Sequence, residues 1–174
     1  MPPAPDRERA DDVAELALRF FRGHGPATLR DFAWWSGLTI ADGRAGVAAA
    51  GDALQSVADE RGKPWIAAAG SDGPLPEPPG ALLLGTYDEV VVAYRDLRTV
   101  GRDGEPGTEL RQRPIFLQGR AAGGWTRRIG AHEVVVAVQL HDPATEGRRA
   151  ALQAEAERFG AFVGLPARLE VLPS

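Results

Sequence analysis

The chain has 174 residues, of which 44% are hydrophobic and 25% are charged, with no cysteine and a formal net charge of −4 at pH 7. These values are typical of a globular protein of one or two small domains, and they exclude disulfides and thiolate metal sites. No run of about 18 apolar residues is present, which excludes a membrane helix, and the first residues lack the apolar core of a signal peptide. We therefore expect a cytoplasmic protein, and the preference for Arg, Ala, Gly and Pro indicates a bacterium with a GC-rich genome.

The first predicted element is an amphipathic helix. Residues 1–10 are rich in proline and charge and are predicted to be a disordered tail. Asp11 or Asp12 then opens a helix that ends at Gly23. Its apolar residues recur at helical spacing at Val13, Leu16, Ala17, Phe20 and Phe21.

Two short helices joined by a tight turn are predicted next. Thr28 caps the first of them, because its hydroxyl can accept the free amides of the opening turn. Gly37 ends that helix in a left-handed conformation, and Thr39 caps the second helix, which runs to Gly51. This arrangement is typical of a helix-turn-helix.

A β-hairpin follows the two helices. Residues 54–57 and 63–67 are strand-like runs on either side of a polar tip. Helix, turn, helix and hairpin together predict a winged helix-turn-helix at residues 11–69. Residues 70–80 contain four prolines and three glycines and are predicted to be an interdomain linker.

The second domain, residues 81–174, is predicted to be a small β-rich module closed by one helix. The helix starts with Asp142 as its cap and Pro143 in its first turn, and it ends at Gly164. Apolar and β-branched runs predict strands at 82–84, 89–94, 115–118, 121–127, 133–140 and 168–172. The predicted fold class is therefore α+β: a winged helix-turn-helix followed by this β-rich module and its C-terminal helix.

The segment GPATLRDFAWWSGLTIADGRAGV, which covers the predicted helix-turn-helix, resembles winged-helix proteins of the AlkZ and YcaQ type. Three later segments, LLLGTYDEVVVAYRDLRTV, FLQGRAAGGWTRR and AERFGAFVGLPARLEV, are similar to that family in the same order. The likeness spans residues 12–172 and corresponds only to the C-terminal part of the longer members. It implies a DNA-binding protein related to DNA glycosylases, which release alkylated bases or unhook crosslinks.

The catalytic motif of these glycosylases is missing from the sequence. In the family that the chain resembles, a Gln-x-Gln or Gln-x-Asp motif positions the water that attacks the N-glycosidic bond. This chain has glutamines at 55, 112, 118, 139 and 153, and none is followed two residues later by Gln or Asp. The resemblance thus implies a binding half, with the catalytic half either supplied by a partner chain or lost.

The predicted winged helix offers few DNA contacts. Arg44 is the only basic residue on its second helix, so we expect this helix, together with Thr39, to contact backbone phosphate or protein without reading sequence. Arg30 is a further phosphate candidate. Arg61 and Lys63 at the hairpin tip are also candidates, and a solvated turn is the alternative for them.

The excess of basic charge lies in the second domain. Residues 97–130 carry seven arginines and three acidic residues, whereas residues 10–67 carry six basic and eight acidic residues. Arginines suit phosphate oxygens, and in the family that the chain resembles, hairpins of this region approach the DNA backbone. A solvated sheet edge protected by charge is the alternative. The candidates are Arg111, Arg113, Arg120, Arg127 and Arg128.

Catalytic candidates within the chain are weak. Asp88 and Asp96 are carboxylates of the kind that activates water or stabilises a cation in base excision. Asp88 equally suits a turn cap, and Arg95 with Asp96 suits a surface ion pair. The histidines show no metal-binding spacing and no phosphate-binding loop is present, so no metal or cofactor is predicted. The adjacent Trp34 and Trp35 are assigned to packing, with base stacking as the alternative.

Together these features predict a non-catalytic protein that binds the backbone of double-stranded DNA. One alternative is a glycosylase that hydrolyses the N-glycosidic bond of alkylated bases, through Asp88 or Asp96 or with a partner chain. Another is a protein-interaction domain that binds no DNA, which the slightly acidic helix-turn-helix favours and the arginines of the β module oppose.

Overall fold

The structure is a computed structural model that describes residues 8–71, 73–74, 76–95 and 113–173. These residues form a mixed α+β fold with five α-helices and two β-sheets, so the predicted fold class is confirmed. The chain divides into two compact units: residues 1–75 with 93–95, and residues 76–92 with 96–174.

The first unit consists of three helices followed by a β-hairpin. The hairpin is tied to the loop after the first helix by reciprocal backbone hydrogen bonds between Ala27 and Ile66, at 2.9 and 2.8 Å. The elements are α1 (Arg9–His24), α2 (Leu29–Ser36), α3 (Ile40–Ala50), β1 (Leu54–Ala58) and β2 (Pro64–Ala68).

Both predicted threonine caps are confirmed, and each is part of a reciprocal capping box. The Thr28 hydroxyl accepts the backbone N–H of Asp31, and the Asp31 carboxylate accepts the backbone N–H of Thr28. Thr39 and Asp42 repeat this pattern at the start of α3. Gly37 ends α2 with a φ of 71°, the left-handed conformation that the sequence predicts for it.

The first helix extends beyond its predicted bounds at both ends. It begins at Arg9, so that Asp11 and Asp12 lie in its first turn. There their negative charge interacts favourably with the positive end of the helix dipole. It ends at His24, and Gly25 rather than Gly23 is its C-cap. Of the predicted disordered tail, residues 1–7 lie outside the described residues.

Three phenylalanines and two glycines pack the helices of the first unit together. Phe20, Phe21 and Phe32 are fully buried, with ring centroids 5.1 to 5.7 Å apart. A Cβ atom on Gly46 would lie 2.8 Å from the Val13 carbonyl oxygen, and one on Gly43 would lie 3.2 Å from the Phe32 ring. The two glycines of α3 therefore allow it to approach α1 and α2 closely.

The second unit is a five-stranded sheet with one long helix packed against it. The sheet order is β3-β4-β5-β6-β7, antiparallel except for the parallel pair β6–β7. The helix α5 buries Leu152 and Ala156 against Trp125 and the valines of β6. The elements are β3 (Ala81–Leu83), α4 (Glu89–Val92), β4 (Pro114–Leu117), β5 (Arg120–Ile129), β6 (Val134–Leu140), α5 (Glu146–Val163) and β7 (Ala167–Val171).

The strand predicted at residues 89–94 is wrong. Residues Glu89–Val92 form the short helix α4, although three successive valines favour a strand. The Asp88 carboxylate accepts the N–H of Val90, and the Asp88 carbonyl accepts two further N–H groups of the helix. These local hydrogen bonds outweigh the weak intrinsic preference of the valines.

The predicted start of the last helix is also wrong. Thr145, not Asp142, is the N-cap of α5, because its hydroxyl accepts the backbone N–H of Arg148. Pro143 therefore lies outside the helix. The predicted end is confirmed, since Gly164 is the C-cap with a φ of 74°.

Residues 93–95 return to the first unit and dock on a buried carboxylate. Asp31 is only 5% exposed, and its Oδ1 atom accepts the backbone N–H of Arg95 at 2.9 Å. Its Oδ2 atom accepts the Thr28 hydroxyl at 2.6 Å. The Tyr94 hydroxyl donates to the His24 carbonyl at 2.9 Å, and Ala93 is fully buried in the same core.

We expect Asp31→Asn to lower the free energy of unfolding by about 2 to 3 kcal/mol. The NH2 group of the asparagine would face N–H or O–H donors whose hydrogen bonds the carboxylate accepts. The matched control is Asp42→Asn, the same change in the more exposed capping box of α3, which should cost far less. Urea unfolding followed by tryptophan fluorescence measures both. Equal losses in the two variants would contradict a special role for the buried carboxylate.

Candidate nucleic-acid interface

The tip of the β1–β2 hairpin is organised by one carboxylate. Asp59 Oδ1 accepts the backbone N–H groups of Arg61 and Lys63 at 2.9 and 2.8 Å, and Oδ2 accepts the indole N–H of Trp65 at 3.2 Å. The Lys63 hydrogen bond is the main reason why the pKa of Asp59 lies below its ordinary value, with smaller contributions from Trp65 and Arg61. The negative charge of Asp59 is therefore built into the turn.

The two cations of this tip differ in their surroundings. The Lys63 ammonium lies 4.2 Å from the centroid of the Trp65 ring, a cation–π contact. The Arg61 guanidinium is exposed and has no side-chain partner among the described residues. Arg61 is thus the tip cation that is available to a phosphate.

The exposed face of α3 is nearly bare. Its exposed side chains are four alanines, Ile40 and Arg44, and Arg44 has no ion-pair partner in the part of the chain that the structure describes. The Thr39 hydroxyl is occupied by Asp42, which in turn pairs with Arg9 at 3.3 Å. Arg30, in the first turn of α2, is exposed on a different element. The candidates of the first unit therefore lie on three different elements, α2, α3 and the hairpin.

The β5–β6 hairpin ends in a basic and apolar tip. Arg127, Arg128 and Ile129 are exposed at the end of β5, and Ile129 retains 54% of its accessible surface. A short turn follows, closed by a hydrogen bond from the Gly130 N–H to the Glu133 carbonyl, with His132 exposed in it. No sequence motif marks Ile129 and His132, although both follow the two arginines closely in the chain, because their exposure at the hairpin end depends on where β5 and β6 pair.

Arg127 and Arg128 lie on opposite faces of this hairpin, because neighbouring residues of a strand alternate. The Arg127 guanidinium lies 6.0 Å from the Trp125 ring and 5.9 Å from the Phe159 ring, so it stands on the face that α5 covers. Arg128 lies on the other face, in register with Val135 of β6, which in turn pairs with Arg168 of β7.

The acidic groups near Arg128 are already paired. Arg168 contacts Glu133 at 3.6 Å and Glu170 at 3.8 Å. The Arg128 guanidinium has no partner among the described residues. Arg128 is therefore an unneutralised cation on an exposed hairpin.

The remaining arginine candidates are not part of this tip. Arg120 lies at the opposite end of β5, eight residues from Arg128 and about 26 Å along the strand. Arg113 is half-buried at the start of β4 with a φ of 45°, and its carbonyl accepts the backbone N–H of Trp125. Arg111 lies outside the described residues. The arginines that the sequence places together are thus spread along the sheet.

The structure shows Asp88 as a turn cap, which is the structural alternative to the catalytic role predicted for it. Its carboxylate is only partly exposed and caps α4 through the N–H of Val90. Asp96 lies outside the described residues. The neighbouring Tyr94 and Arg95 are engaged in docking on His24 and Asp31.

The two adjacent tryptophans have different environments. Trp35 packs on the core of the first unit, with its ring 5.1 Å from Phe20 and 5.8 Å from His24. Trp34 is 48% exposed. The packing assignment therefore holds for Trp35.

Among the described residues, no three His, Asp or Glu side chains are placed to hold a metal ion. No helix in those residues is long and apolar enough to cross a membrane.

Comparisons with known proteins agree on one family. The model of the family described as DNA glycosylase AlkZ-like matches residues 1–162. A structure of the Streptomyces sahachiroi DNA glycosylase AlkZ has a similar fold, with a TM-score of 0.63 and 23% sequence identity over 95% of this chain. The chain spans about half of that protein, 47% of its length. No curated protein matches the sequence.

We expect the pKa of the Asp59 carboxyl to lie below its ordinary value, because the hydrogen bonds from the Lys63 N–H and the Trp65 indole N–H favour the ionised form. The stabilisation of the turn by the ionised Asp59 is fully present above the pKa that this group has in the unfolded chain. It is lost as the pH falls through the lower pKa of Asp59 in the folded chain. Nuclear magnetic resonance shifts of the Asp59 carboxyl carbon and the Trp65 indole N–H should titrate together. In Trp65→Phe the pKa should rise but stay lowered, and an inflection at or above the ordinary value in the parent chain would contradict this assignment.

Proposed function

The chain belongs to the AlkZ-like DNA glycosylase family, and from this premise we propose that it binds the backbone of double-stranded DNA through the β5–β6 hairpin without performing base excision itself. The observation that carries this proposal is the exposed hairpin end, where Arg128 has no neutralising partner within the described ranges and Ile129 is half exposed. Exposed arginines suit phosphate oxygens, and an apolar side chain beside them suits insertion between base steps from the minor groove.

We assign the first unit a supporting role as a winged helix-turn-helix, with β1–β2 as the wing. The three helices, the Gly37 turn and the hairpin follow in the order typical of that motif. The alanine-rich face of α3 offers only Arg44 to DNA, so this helix contacts phosphate and does not read base edges. Arg30 and Arg61 are the other phosphate contacts proposed for this unit, with Thr39 and Lys63 as secondary contacts because both already have partners within the chain.

The absence of catalysis is inferred from the chemistry of the available carboxylates. A general base in base excision needs a carboxylate that is free to reach water and substrate. Asp88 already serves as a helix cap, and the sequence has no Gln-x-Gln or Gln-x-Asp motif. A partner chain that carries such a motif would complete a glycosylase.

We expect the purified chain to bind a fluorescent duplex of about 20 base pairs with an affinity that falls steeply between about 50 and 200 mM salt. Arg128→Gln should weaken binding roughly five- to tenfold and reduce the salt slope by about one, as for one lost phosphate contact. Fluorescence anisotropy measures both quantities. Arg148→Gln, at an exposed arginine of α5 with the same change in charge, is the control and should leave the slope unchanged. Absence of salt-dependent binding by the parent chain would refute the DNA proposal.

We expect no release of free base when the chain is incubated with duplex DNA containing an alkylated purine. Chromatography of the released bases is the readout, with an unrelated active glycosylase as the positive control. Base release that disappears in Asp88→Asn would overturn the non-catalytic assignment and favour the self-sufficient glycosylase. DNA binding without base release is the result expected if a partner chain supplies the catalytic motif.

A further inference from the structure

Strand β7 is an open edge of the five-stranded sheet. Its inner side pairs with β6, where the Pro166 carbonyl accepts the N–H of Val134 and the Leu172 N–H donates to the Val138 carbonyl. Because backbone groups alternate along a strand, Ala167, Leu169 and Val171 direct their N–H and carbonyl groups outward. No strand in the described part of the chain pairs with that outer side.

The opposite edge of the same sheet is blocked. The Glu155 carboxylate of α5 accepts the outward N–H of Leu83 in β3 at 3.3 Å. Arg158 holds that carboxylate at 2.6 Å. A side chain that occupies an edge donor prevents strand addition there, so β7 is the edge that the structure leaves available.

A groove runs along the open edge. It lies between the N-terminal half of α5 and β7, has a volume of about 410 Å³, and has Leu169 and Val171 on its strand side. Arg149, Ala150 and Gln153 line its helix side. An added strand would place its alternate apolar side chains here, in continuation of the core beneath α5.

We propose that β7 pairs with β7 of a second copy of this chain, antiparallel and centred on Leu169, so that two five-stranded sheets form one continuous sheet. In this register Leu169 faces Leu169 of the second copy, and Ala167 faces Val171 of the second copy. All of these residues direct their backbone groups outward, as a hydrogen-bonded antiparallel pair requires. Three such pairs give six backbone hydrogen bonds across the two-fold axis.

The charges of β7 select this register over its neighbours. Centred on Leu169, Arg168 of each copy lies directly opposite Glu170 of the other, in the closely spaced non-hydrogen-bonded position. Sliding one strand by two residues, which moves the centre of the pairing to Arg168, would place Arg168 opposite Arg168. The same slide in the other direction would place Glu170 opposite Glu170. Like charges directly opposite are destabilising, so the sequence of this strand is complementary to itself in one register.

Single charge reversals should separate the dimer, and their mixture should restore it. Arg168→Glu places two acidic pairs across the interface and Glu170→Arg places two basic pairs, so each should weaken dimerisation about tenfold or more. In a heterodimer of the two variants, every charge again faces its opposite. The double variant Arg168→Glu with Glu170→Arg should dimerise like the parent chain. Light scattering coupled to gel filtration, over a series of concentrations, measures the mass.

Circular dichroism of each variant checks that the fold is intact, which we expect because the ion pairs within one chain are exposed and worth little. A parent chain that stays monomeric at its highest soluble concentration would overturn the proposal. So would a dimer that ignores both single reversals, or a mixture of the two variants that stays monomeric. The readout is independent of DNA, so it also separates this proposal from the DNA-binding function.

Discussion

The first unit depends on one carboxylate that is taken out of water with no cation beside it among the described residues. Asp31 is stabilised there by hydrogen-bond donors, the Thr28 N–H and hydroxyl and the Arg95 N–H, and by the positive end of α2. A buried charge is tolerated only when its hydrogen bonds are complete. Residues 93–95 therefore complete the first unit, although β3 and α4 of the second unit come before them in the chain.

The cations of the chain divide by whether the fold already uses them. Lys63 lies on Trp65, Arg127 lies over Trp125 and Phe159, and Arg168 holds two carboxylates. A phosphate must compete with these contacts. An exposed arginine with no such partner among the described residues could bind a phosphate without breaking an internal contact. Arg128 therefore carries more weight in the proposed function than the number of arginines in the second unit.

Local signals in the sequence predict much of the fold and less of the site. The caps at Thr28 and Thr39 and the stop at Gly37 depend on residues within one helical turn, and they are confirmed. The strand predicted at residues 89–94 fails because the hydrogen bonds of the Asp88 cap outweigh the strand preference of the valines. Arg128, Ile129 and His132 are close together in the sequence, but their exposure at a hairpin end depends on where β5 and β6 pair, which single residues do not encode.

The glycines of α3 connect packing to the kind of recognition that this fold permits. Gly43 and Gly46 allow the helix to lie close against Phe32 and Val13, and the opposite face consists of alanines, Ile40 and Arg44. A helix built this way has almost no donors or acceptors for base edges. Binding through phosphate contacts alone distinguishes sites by how easily the duplex deforms, and a damaged or mismatched base lowers that cost. Under the proposed DNA-binding function, α3 would therefore favour weak points in a duplex over a particular base sequence.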